Sequence, residues 1–166
     1  MRTTVMTANN KSSSPAADHL SLSLQPKLLN QLSPTEKIVF SSQILKLNED
    51  NKTQSRIFLL TNHAVYNILK PESLLRKFFS LTNTFTIRRR VPLLAIYGIT
   101  IGKGGHSFVL HVLNEHDYFY KTEEECSRLV RYVAREYQTM VGKPLNLYRK
   151  EDIVLINYCT HKHHLK

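Results

Sequence analysis

The chain has 166 residues, of which 42% are hydrophobic, and this length and composition suit one domain with tails. No apolar run approaches the roughly 18 residues that a membrane-spanning helix needs, and the amino terminus lacks the apolar stretch of a secretory signal. The net charge of +10 favours an anionic partner, which could be nucleic acid, an acidic membrane surface or an acidic protein.

The two cysteines indicate the redox compartment, and the first 35 residues indicate what precedes the main domain. Cys126 and Cys159 are too few for a disulfide framework, so we expect both to be reduced and unpaired in a reducing compartment. Residues 1–19 are polar and rich in Ser and Thr, which predicts a disordered leader. Residues 20–35 are more apolar and contain Pro26, and they predict a short helical lead-in.

After the lead-in, alternating apolar residues and short apolar runs predict strands. The first three strands are expected to form a meander, because only a polar loop and a tight turn at Asn62 and His63 separate them. Residues 70–84 interrupt the pattern and predict a short amphipathic helix or a long excursion. Gly104 and Gly105 predict a hairpin turn between two later strands. The seven predicted strands are residues 37–48, 56–61, 64–69, 85–93, 95–103, 107–113 and 117–121.

One clear helix follows the strands. Thr122 and Glu125 have the spacing of a capping box, in which each side chain accepts a hydrogen bond from a free backbone amide, so the helix is predicted to begin at Thr122. Gly142 and then Pro144 predict its end. Apolar residues at helical spacing give it one apolar face, formed by Cys126, Leu129, Val130, Val133 and Tyr137.

These elements predict a mainly β fold with a C-terminal helix. Residues 36–142 are expected to form a seven-stranded barrel or sandwich that one α-helix caps, since a helix can cover the exposed edges or open end of a sheet. Residues 143–166 are expected to form a C-terminal extension, with strand-like patterns at residues 145–148 and 153–158.

The sequence contains no recognisable catalytic or metal-binding motif, and we expect neither enzymatic activity nor a cofactor. Residues 102–105 are rich in glycine but lack the spacing of a phosphate loop. One group of polar residues lies near a hairpin without a visible nucleophile and orienting partner: His106, His111, His116 and Asp117. The spacing of a second group is too cramped for a typical zinc site: Cys159, His161, His163 and His164.

The basic residues are the remaining candidates for a site. Lys46 lies near the end of the first predicted strand, Lys52 lies in the following loop and Arg56 begins the second strand. Three cations around one hairpin can hold a multivalent phosphate, although the same pattern also suits a solvated surface. Residues 73–114 contain no Asp or Glu, which predicts an accessory basic patch. Its members are Arg76, Lys77, Arg88, Arg89, Arg90 and Lys103.

Several segments together resemble the tail homology domain of class I myosins. Residues 46–62 (KLNEDNKTQSRIFLLTN) resemble its start, where a strand ends in Lys and a basic loop leads to R-x-L-L-L-T-D/N. Residues 89–93 (RRVPL), 96–100 (IYGIT) and 107–112 (SFVLHV) resemble three later strands. The resemblance covers about residues 36–141, and the order and spacing of the segments make it more specific than any one of them.

The resemblance implies a pleckstrin-homology-like fold that binds anionic phospholipids, especially phosphoinositides. In the family, a Lys at the end of the first strand and an Arg at the start of the second hold the lipid phosphates. These positions fall on Lys46 and Arg56, and Lys52 is a third candidate contact. The chain departs from the family at Glu49 and Asp50, where basic residues are expected. No motor domain precedes the matched residues, so we expect a free-standing module.

Three functions compete on this basis. The first is a cytoplasmic, peripheral membrane protein that docks on anionic membrane lipids. The second is a protein-interaction or structural subunit of a cytoskeletal or ciliary assembly, which Glu49, Asp50 and the C-terminal extension favour. The third is nucleic-acid binding, which the arginines at residues 88–90 favour. The sequence argues against nucleic acid, because aromatic residues do not alternate with the basic ones as a stacking surface requires.

Overall fold

The computed structural model of the chain describes residues 17–48, 52–69 and 85–150. Most of the predicted leader, the segment at residues 70–84 and the tail after residue 150 lie outside these ranges. Several residues of the sequence-based predictions lie there too: Glu49, Asp50, Arg76, Lys77, Cys159, His161, His163 and His164.

Strands dominate the described part of the chain, which contains nine of them and two α-helices. The strands are β1 (Ala17–Asp18), β2 (Ile38–Leu47), β3 (Thr53–Thr61), β4 (Ala64–Leu69), β5 (Thr86–Pro92), β6 (Ile96–Gly102), β7 (Ser107–Val112), β8 (Tyr118–Lys121) and β9 (Asn146–Lys150). The helices are α1 (Pro26–Leu29) and α2 (Ser127–Val141), and short 3-10 helices span Leu22–Leu24 and Leu93–Ala95. The prediction of a mainly β fold with one C-terminal helix is confirmed, and the seven predicted strands correspond to β2–β8.

The strands form one sheet in the order β5-β4-β3-β2-β8-β7-β6-β9, and β1 also pairs with β2. The pairs β2–β3 and β3–β4 are antiparallel, which is the predicted meander. Gly102 and Ser107 flank the predicted hairpin turn between β6 and β7. The strands β1 and β9 pair in parallel with β2 and β6, respectively.

The main core lies between the inner face of the sheet and α2. Alternation along β2 and β3 directs Phe40, Ile44, Phe58 and Leu60 to this face, because successive side chains of a strand point to opposite sides. The buried face of α2 contributes Leu129, Val130 and Val133. The predicted apolar face of the helix is therefore confirmed, and Cys126 is buried in the same core as a free thiol.

A second apolar cluster covers the outer face of β3 and β4. Leu22, Leu28 and Leu32 of the lead-in pack there against Ile57 and Leu59. Since the same strand directs Phe58 and Leu60 to the main core, both faces of β3 are buried along residues 57–60. This explains why the sequence of β3 shows a continuous apolar run rather than alternation.

The helix begins five residues later than predicted, and the prediction of a capping box at Thr122 is wrong. The α2 helix begins at Ser127, with no side-chain hydrogen bond at its N-cap. The backbone N–H of Thr122 still donates to His106 O at the end of β7–β8 pairing, and its Oγ1 donates to Glu124 O at 2.5 Å. The hydroxyl is therefore engaged in a bend before the helix. The predicted end is confirmed, because Gly142 is the C-cap in the left-handed region.

The first strand predicted in the C-terminal extension is present as β9. It pairs with β6, and its Tyr148 lies against Gly98, where a Cβ atom would be 3.0 Å from the tyrosine ring. The residues just after α2 are therefore part of the sheet. Neither helix of the described ranges has the length and apolar character to cross a bilayer.

Candidate functional site

A cleft of about 450 Å³ opens at the end of the β-sheet where β2 leads into the β2–β3 loop, and we call this end the barrel mouth. Its lining contains four cationic side chains and one carboxylate, so its charge is strongly positive. The lining residues are Lys46, Gln54, Arg56, Asn67, Arg88, Arg89, Glu115, His116 and Tyr118.

Strand register explains why these polar side chains meet. Lys46 pairs with Gln54 across β2 and β3, and Arg56 lies two residues further along β3 on the same face. Asn67 pairs with Arg89 across β4 and β5. This is also the face that carries the main core, so the cleft is the polar continuation of the inner face at the barrel mouth.

Arg56, the fourth residue of β3, is held by hydrogen bonds to uncharged oxygens. Arg56 Nη2 donates to Gln54 Oε1 at 2.7 Å, and Nη1 donates to Ser55 O at 2.8 Å. Burial and the nearby positive charge of Arg88 both lower the pKa of Arg56. Two guanidinium groups therefore share this side of the cleft, and an anion between them would relieve their repulsion.

Lys46 also lines the cleft. Its Nζ is 4.9 Å from the centre of the Tyr118 ring, which is within the range of a cation–π interaction. This contact places the ammonium group beside Tyr118, which is also part of the cleft lining.

The cleft lining also contains one carboxylate. Glu115, in the turn between β7 and β8, accepts hydrogen bonds from Arg89 Nη2 and, at 2.9 Å, from Tyr118 OH. The hydrogen bond to Glu115 raises the pKa of Arg89. Burial, together with the same carboxylate, raises the pKa of Tyr118 to about 12. Glu115 thus neutralises Arg89, whereas the side-chain hydrogen bonds of Arg56 go to uncharged oxygens.

The structure brings together four of the residues that the sequence proposed as sites. Lys46 and Arg56 line the cleft, and so do Arg88 and Arg89, which the sequence assigned to an accessory patch. A register shift between Asn67 and its neighbour in the β4–β5 pair changes the alternation there. Such a bulge can redirect a side chain, and here both arginines reach the cleft.

Three other candidates lie outside the cleft lining. Lys52 is exposed in the β2–β3 loop, where its backbone N–H donates to Asn48 Oδ1 at 2.7 Å. Lys103 is exposed in the β6–β7 turn. Arg90 points to the opposite face of β5, where its Nη2 lies 2.8 Å from Glu36 Oε1.

Sequence reasoning missed Glu115, His116 and Tyr118 as parts of the site. They lie some 60 residues after the first hairpin, and only the pairing of β2 with β8 brings them to its mouth. The sequence could have identified Gln54 as a site residue, because the period-two spacing of a strand places it on the same face as Arg56.

His111, in contrast, is part of a buried polar cluster. Its Nε2 is 2.7 Å from Thr100 Oγ1, and its Nδ1 is 2.8 Å from Asp117 Oδ2. The order of carboxylate, imidazole and hydroxyl is that of a hydrolase triad. The Thr100 residue is only 4% exposed, however, and the imidazole packs against the rings of Tyr97 and Tyr148. A substrate carbonyl therefore has no access to this hydroxyl in the arrangement described.

Metal binding has no support in the part of the chain that the structure describes. Within residues 17–48, 52–69 and 85–150, no three His, Cys, Asp or Glu side chains are close enough to hold one ion. The histidines near the β6–β7 and β7–β8 turns are divided between separate environments, since His111 is buried while His116 lines the cleft.

A second basic surface lies on α2. Arg128, Arg131 and Arg135 follow one another along one side of the helix and, with Tyr132, line a depression of about 320 Å³. Arg135 lies 4.9 Å from the centre of the Tyr132 ring and also pairs with Glu136.

This surface, which we call the α2 arginine surface, is remote from the cleft. Tyr132 packs on Phe40 with 5.3 Å between ring centres. Phe40 lies six residues before Lys46 on β2, which is a distance of about 20 Å along a strand. The chain therefore carries two basic surfaces near opposite ends of β2.

Comparisons with known proteins agree with the fold and with the resemblance seen in the sequence. A family model described as "unconventional myosin tail, actin- and lipid-binding" matches residues 16–163. The myosin IA heavy chain of Dictyostelium discoideum is 30% identical over 124 residues, which are 72% of this chain and 12% of that relative. The chain thus spans about an eighth of the length of that myosin.

Solved structures share the fold at low sequence identity. The hSac2 domain from the human phosphoinositide phosphatase Sac2 is 15% identical with a TM-score of 0.57, over 81% of this chain and 89% of that one. The DH/PH domain of human ARHGEF11, in a complex with RhoA, is 13% identical with a TM-score of 0.50, over 63% and 30% of the two chains. At such identities the likeness shows the fold alone. Together with the match over residues 16–163, it shows that the chain belongs to the family of unconventional myosin tails and has a pleckstrin-homology-like fold.

Proposed function

We propose that this chain is a non-enzymatic module that binds anionic phospholipids, and that the cleft at the barrel mouth holds the phosphate of a phosphoinositide headgroup. The observation that carries the proposal is the convergence of four cations, Lys46, Arg56, Arg88 and Arg89, on one cleft whose lining contains a single carboxylate, which is paired with Arg89. The description of the family as lipid-binding supports it.

The chemistry of the three cations suits a phosphate monoester. A guanidinium group can donate two parallel hydrogen bonds to phosphate oxygens, and an ammonium group adds a compact charge. Arg56 and Arg88 are close enough for the charge of one to lower the pKa of the other, so a dianionic phosphate between them removes an unfavourable interaction.

The other basic residues provide attraction without a specific contact. We propose this role for Lys52 and Lys103, which are exposed outside the cleft lining, and for Arg76 and Lys77. Each basic residue near an anionic bilayer contributes on the order of 1 kcal/mol, and salt screens this attraction. We therefore expect the protein at a membrane surface on the cytoplasmic side.

Liposome flotation tests this function. Phosphatidylcholine liposomes are prepared with a phosphatidylinositol monophosphate, with phosphatidylserine at matched total charge, or with neither. We expect the protein to float best with the phosphoinositide. Arg56→Gln should abolish this preference, whereas Lys103→Gln, which removes the same charge outside the cleft, should retain it. A protein that floats equally with both anionic liposomes, or with neither, would contradict the proposal.

A second candidate function is docking to an acidic cytoskeletal protein through the α2 arginine surface. Two observations favour it: the surface is remote from the cleft, and the family is described as actin-binding as well as lipid-binding. Co-sedimentation with actin filaments tests it. We expect Arg128→Gln with Arg131→Gln to reduce pelleting and Arg56→Gln to leave it unchanged. If the wild-type protein stays in the supernatant at low salt, actin is not the partner.

A further inference from the structure

The turn between β7 and β8 places a carboxylate inside the basic cleft. Asn114, with a φ of 59°, adopts the left-handed conformation just before Glu115, and this turn directs the glutamate side chain back toward the barrel mouth. One carboxylate oxygen accepts a hydrogen bond from Arg89 Nη2, and the other accepts one from Tyr118 OH at 2.9 Å. The Glu115 side chain is 27% exposed, so solvent screens it only in part.

The hydrogen bonds that Glu115 accepts are of the kind that a bound phosphate would accept. Two oxygens of one anion accept hydrogen bonds from a guanidinium and from a phenol, and these are donors that also serve phosphate in protein sites. Any phosphate that approached Arg89 would have to displace Glu115 or lie beside its negative charge, and either event is unfavourable.

The surroundings of Arg56 and Arg88 differ from those of Arg89. Both side-chain hydrogen bonds of Arg56 go to uncharged oxygens. In the part of the chain that the structure describes, Arg89 forms an ion pair with a carboxylate, and Arg88 does not. Among the described residues, Arg56 and Arg88 therefore form a basic part of the cleft without a carboxylate partner, whereas Glu115 already occupies Arg89.

We propose that Glu115 is a specificity-determining residue that restricts the cleft to headgroups with one phosphate monoester and disfavours a second one at Arg89. This inference rests on the proposed function, because it names which phosphoinositides the same site selects. A monophosphate binds on the Arg56 side and leaves the Glu115–Arg89 pair intact. A bisphosphate gains little from its second phosphate, because that group meets a carboxylate.

The test compares Glu115→Gln with the wild-type protein on two sets of liposomes. One set contains a phosphatidylinositol monophosphate and the other a phosphatidylinositol bisphosphate, adjusted with phosphatidylserine to the same total charge. Gln keeps the size and one acceptor of Glu but removes its charge. We expect the wild-type protein to show little preference for the bisphosphate. Glu115→Gln should bind bisphosphate liposomes roughly tenfold more tightly, with a much smaller gain for monophosphate liposomes.

Two further variants separate the local effect from net charge. Glu136→Gln removes a carboxylate that also pairs with an arginine, Arg135, but does so on α2. It should leave the ratio of the two affinities unchanged. Adding Arg89→Gln to Glu115→Gln should return the ratio to its wild-type value, because the gained phosphate contact needs Arg89. Thermal unfolding of each variant establishes that it is folded.

The outcomes distinguish this inference from the proposed function. If the wild-type protein binds monophosphate liposomes through Arg56 but Glu115→Gln leaves the ratio unchanged, the proposed function stands and the inference is wrong. The inference is also wrong if Glu115→Gln weakens binding to both liposomes, since Glu115 would then position Arg89 for the ligand. If neither liposome binds any of these proteins, calorimetry with soluble inositol phosphates decides: a ratio that shifts as expected supports the inference for a soluble ligand, and no binding overturns both proposals.

Discussion

Glu36 shows how a buried charge can be stabilised by groups from several strands. Its Oε2 accepts hydrogen bonds from Thr61 Oγ1 and Tyr66 OH, and its Oε1 accepts one from Arg90. The side chain is 1% exposed. Burial by itself would raise the pKa of Glu36, but the hydrogen bonds from these partners and the charge of Arg90 outweigh it, so the pKa lies below its ordinary value of 4.5. Arg90 therefore has a structural contact that the sequence could not distinguish from a site contact.

The pH dependence of stability follows from this lowered pKa. Because the folded-state pKa lies below the unfolded one, Glu36 contributes stability that is present above its ordinary pKa and is lost as pH falls through the folded-state value. We expect Glu36→Gln to lower the free energy of unfolding by about 2 kcal/mol at neutral pH. The difference from wild type should shrink below a pH of about 4. Urea denaturation at several pH values measures it, and a difference that stays constant with pH would contradict this account.

The ends of α2 illustrate what local sequence patterns determine at the scale of an element. Gly142 ends the helix where the sequence predicted, because its φ of 75° is a conformation that other residues adopt only with strain. The predicted start of the helix was wrong. Thr122 and Glu125 have the spacing of a capping box, but the backbone N–H of Thr122 donates to His106 O in the β6–β7 turn. A hydrogen bond between distant segments outweighed the local pattern.

Substitutions at the two ends of α2 should therefore differ. We expect Gly142→Ala to lower the free energy of unfolding by about 1 kcal/mol, because alanine is strained at positive φ. Thr122→Ala should have a smaller effect and leave the helical circular dichroism unchanged, since the hydroxyl caps no helix in the structure. Thermal and chemical denaturation of both variants measures the order. A larger loss for Thr122→Ala would mean that the bend before α2 is more important than its C-cap.

The strands could be predicted where apolar residues alternated along the chain or where a turn residue separated two strands. The meander and the hairpin at Gly104 and Gly105 followed from such signals. The cleft was predictable only in part, because Lys46 and Arg56 lie on one hairpin while Glu115 reaches them through pairing between distant strands. The bulge that brings both Arg88 and Arg89 to the cleft depends on the register of β4 with β5, which no local pattern specifies.

At the scale of the whole molecule, we propose that the folded unit is wider than the predicted residues 36–142. The lead-in leucines cover the outer face of β3, and β9 extends the sheet beyond β6. Both additions bury apolar surface or pair backbone groups that residues 36–142 alone would expose.

Two neighbouring leucines of α1 test this wider unit. Leu28 is fully buried against the outer face of the sheet, whereas Leu29 is 39% exposed. We expect Leu28→Ala to lower the free energy of unfolding by about 3 kcal/mol. The same change at Leu29 should cost well under about 1 kcal/mol. Chemical denaturation of the whole chain compares them, and equal small effects would show that the lead-in does not contribute to the folded core.

We propose that the two basic surfaces near opposite ends of β2 let the molecule contact a membrane with one end and an acidic protein with the other. In this account the barrel mouth recognises the phosphoinositide, and the α2 arginine surface does not. Net charge alone would make no such distinction, because each end carries several cations.

The most direct test is therefore the affinity of two charge-matched double variants for liposomes that contain a phosphatidylinositol monophosphate. One variant combines Lys46→Gln with Arg56→Gln, and the other combines Arg128→Gln with Arg131→Gln, so both lose two positive charges. We predict that the first variant binds these liposomes no better than phosphatidylserine liposomes of equal charge, whereas the second retains the wild-type preference. Equal loss of binding in the two variants would contradict the account, because the protein would then respond to net charge and not to a site at the barrel mouth.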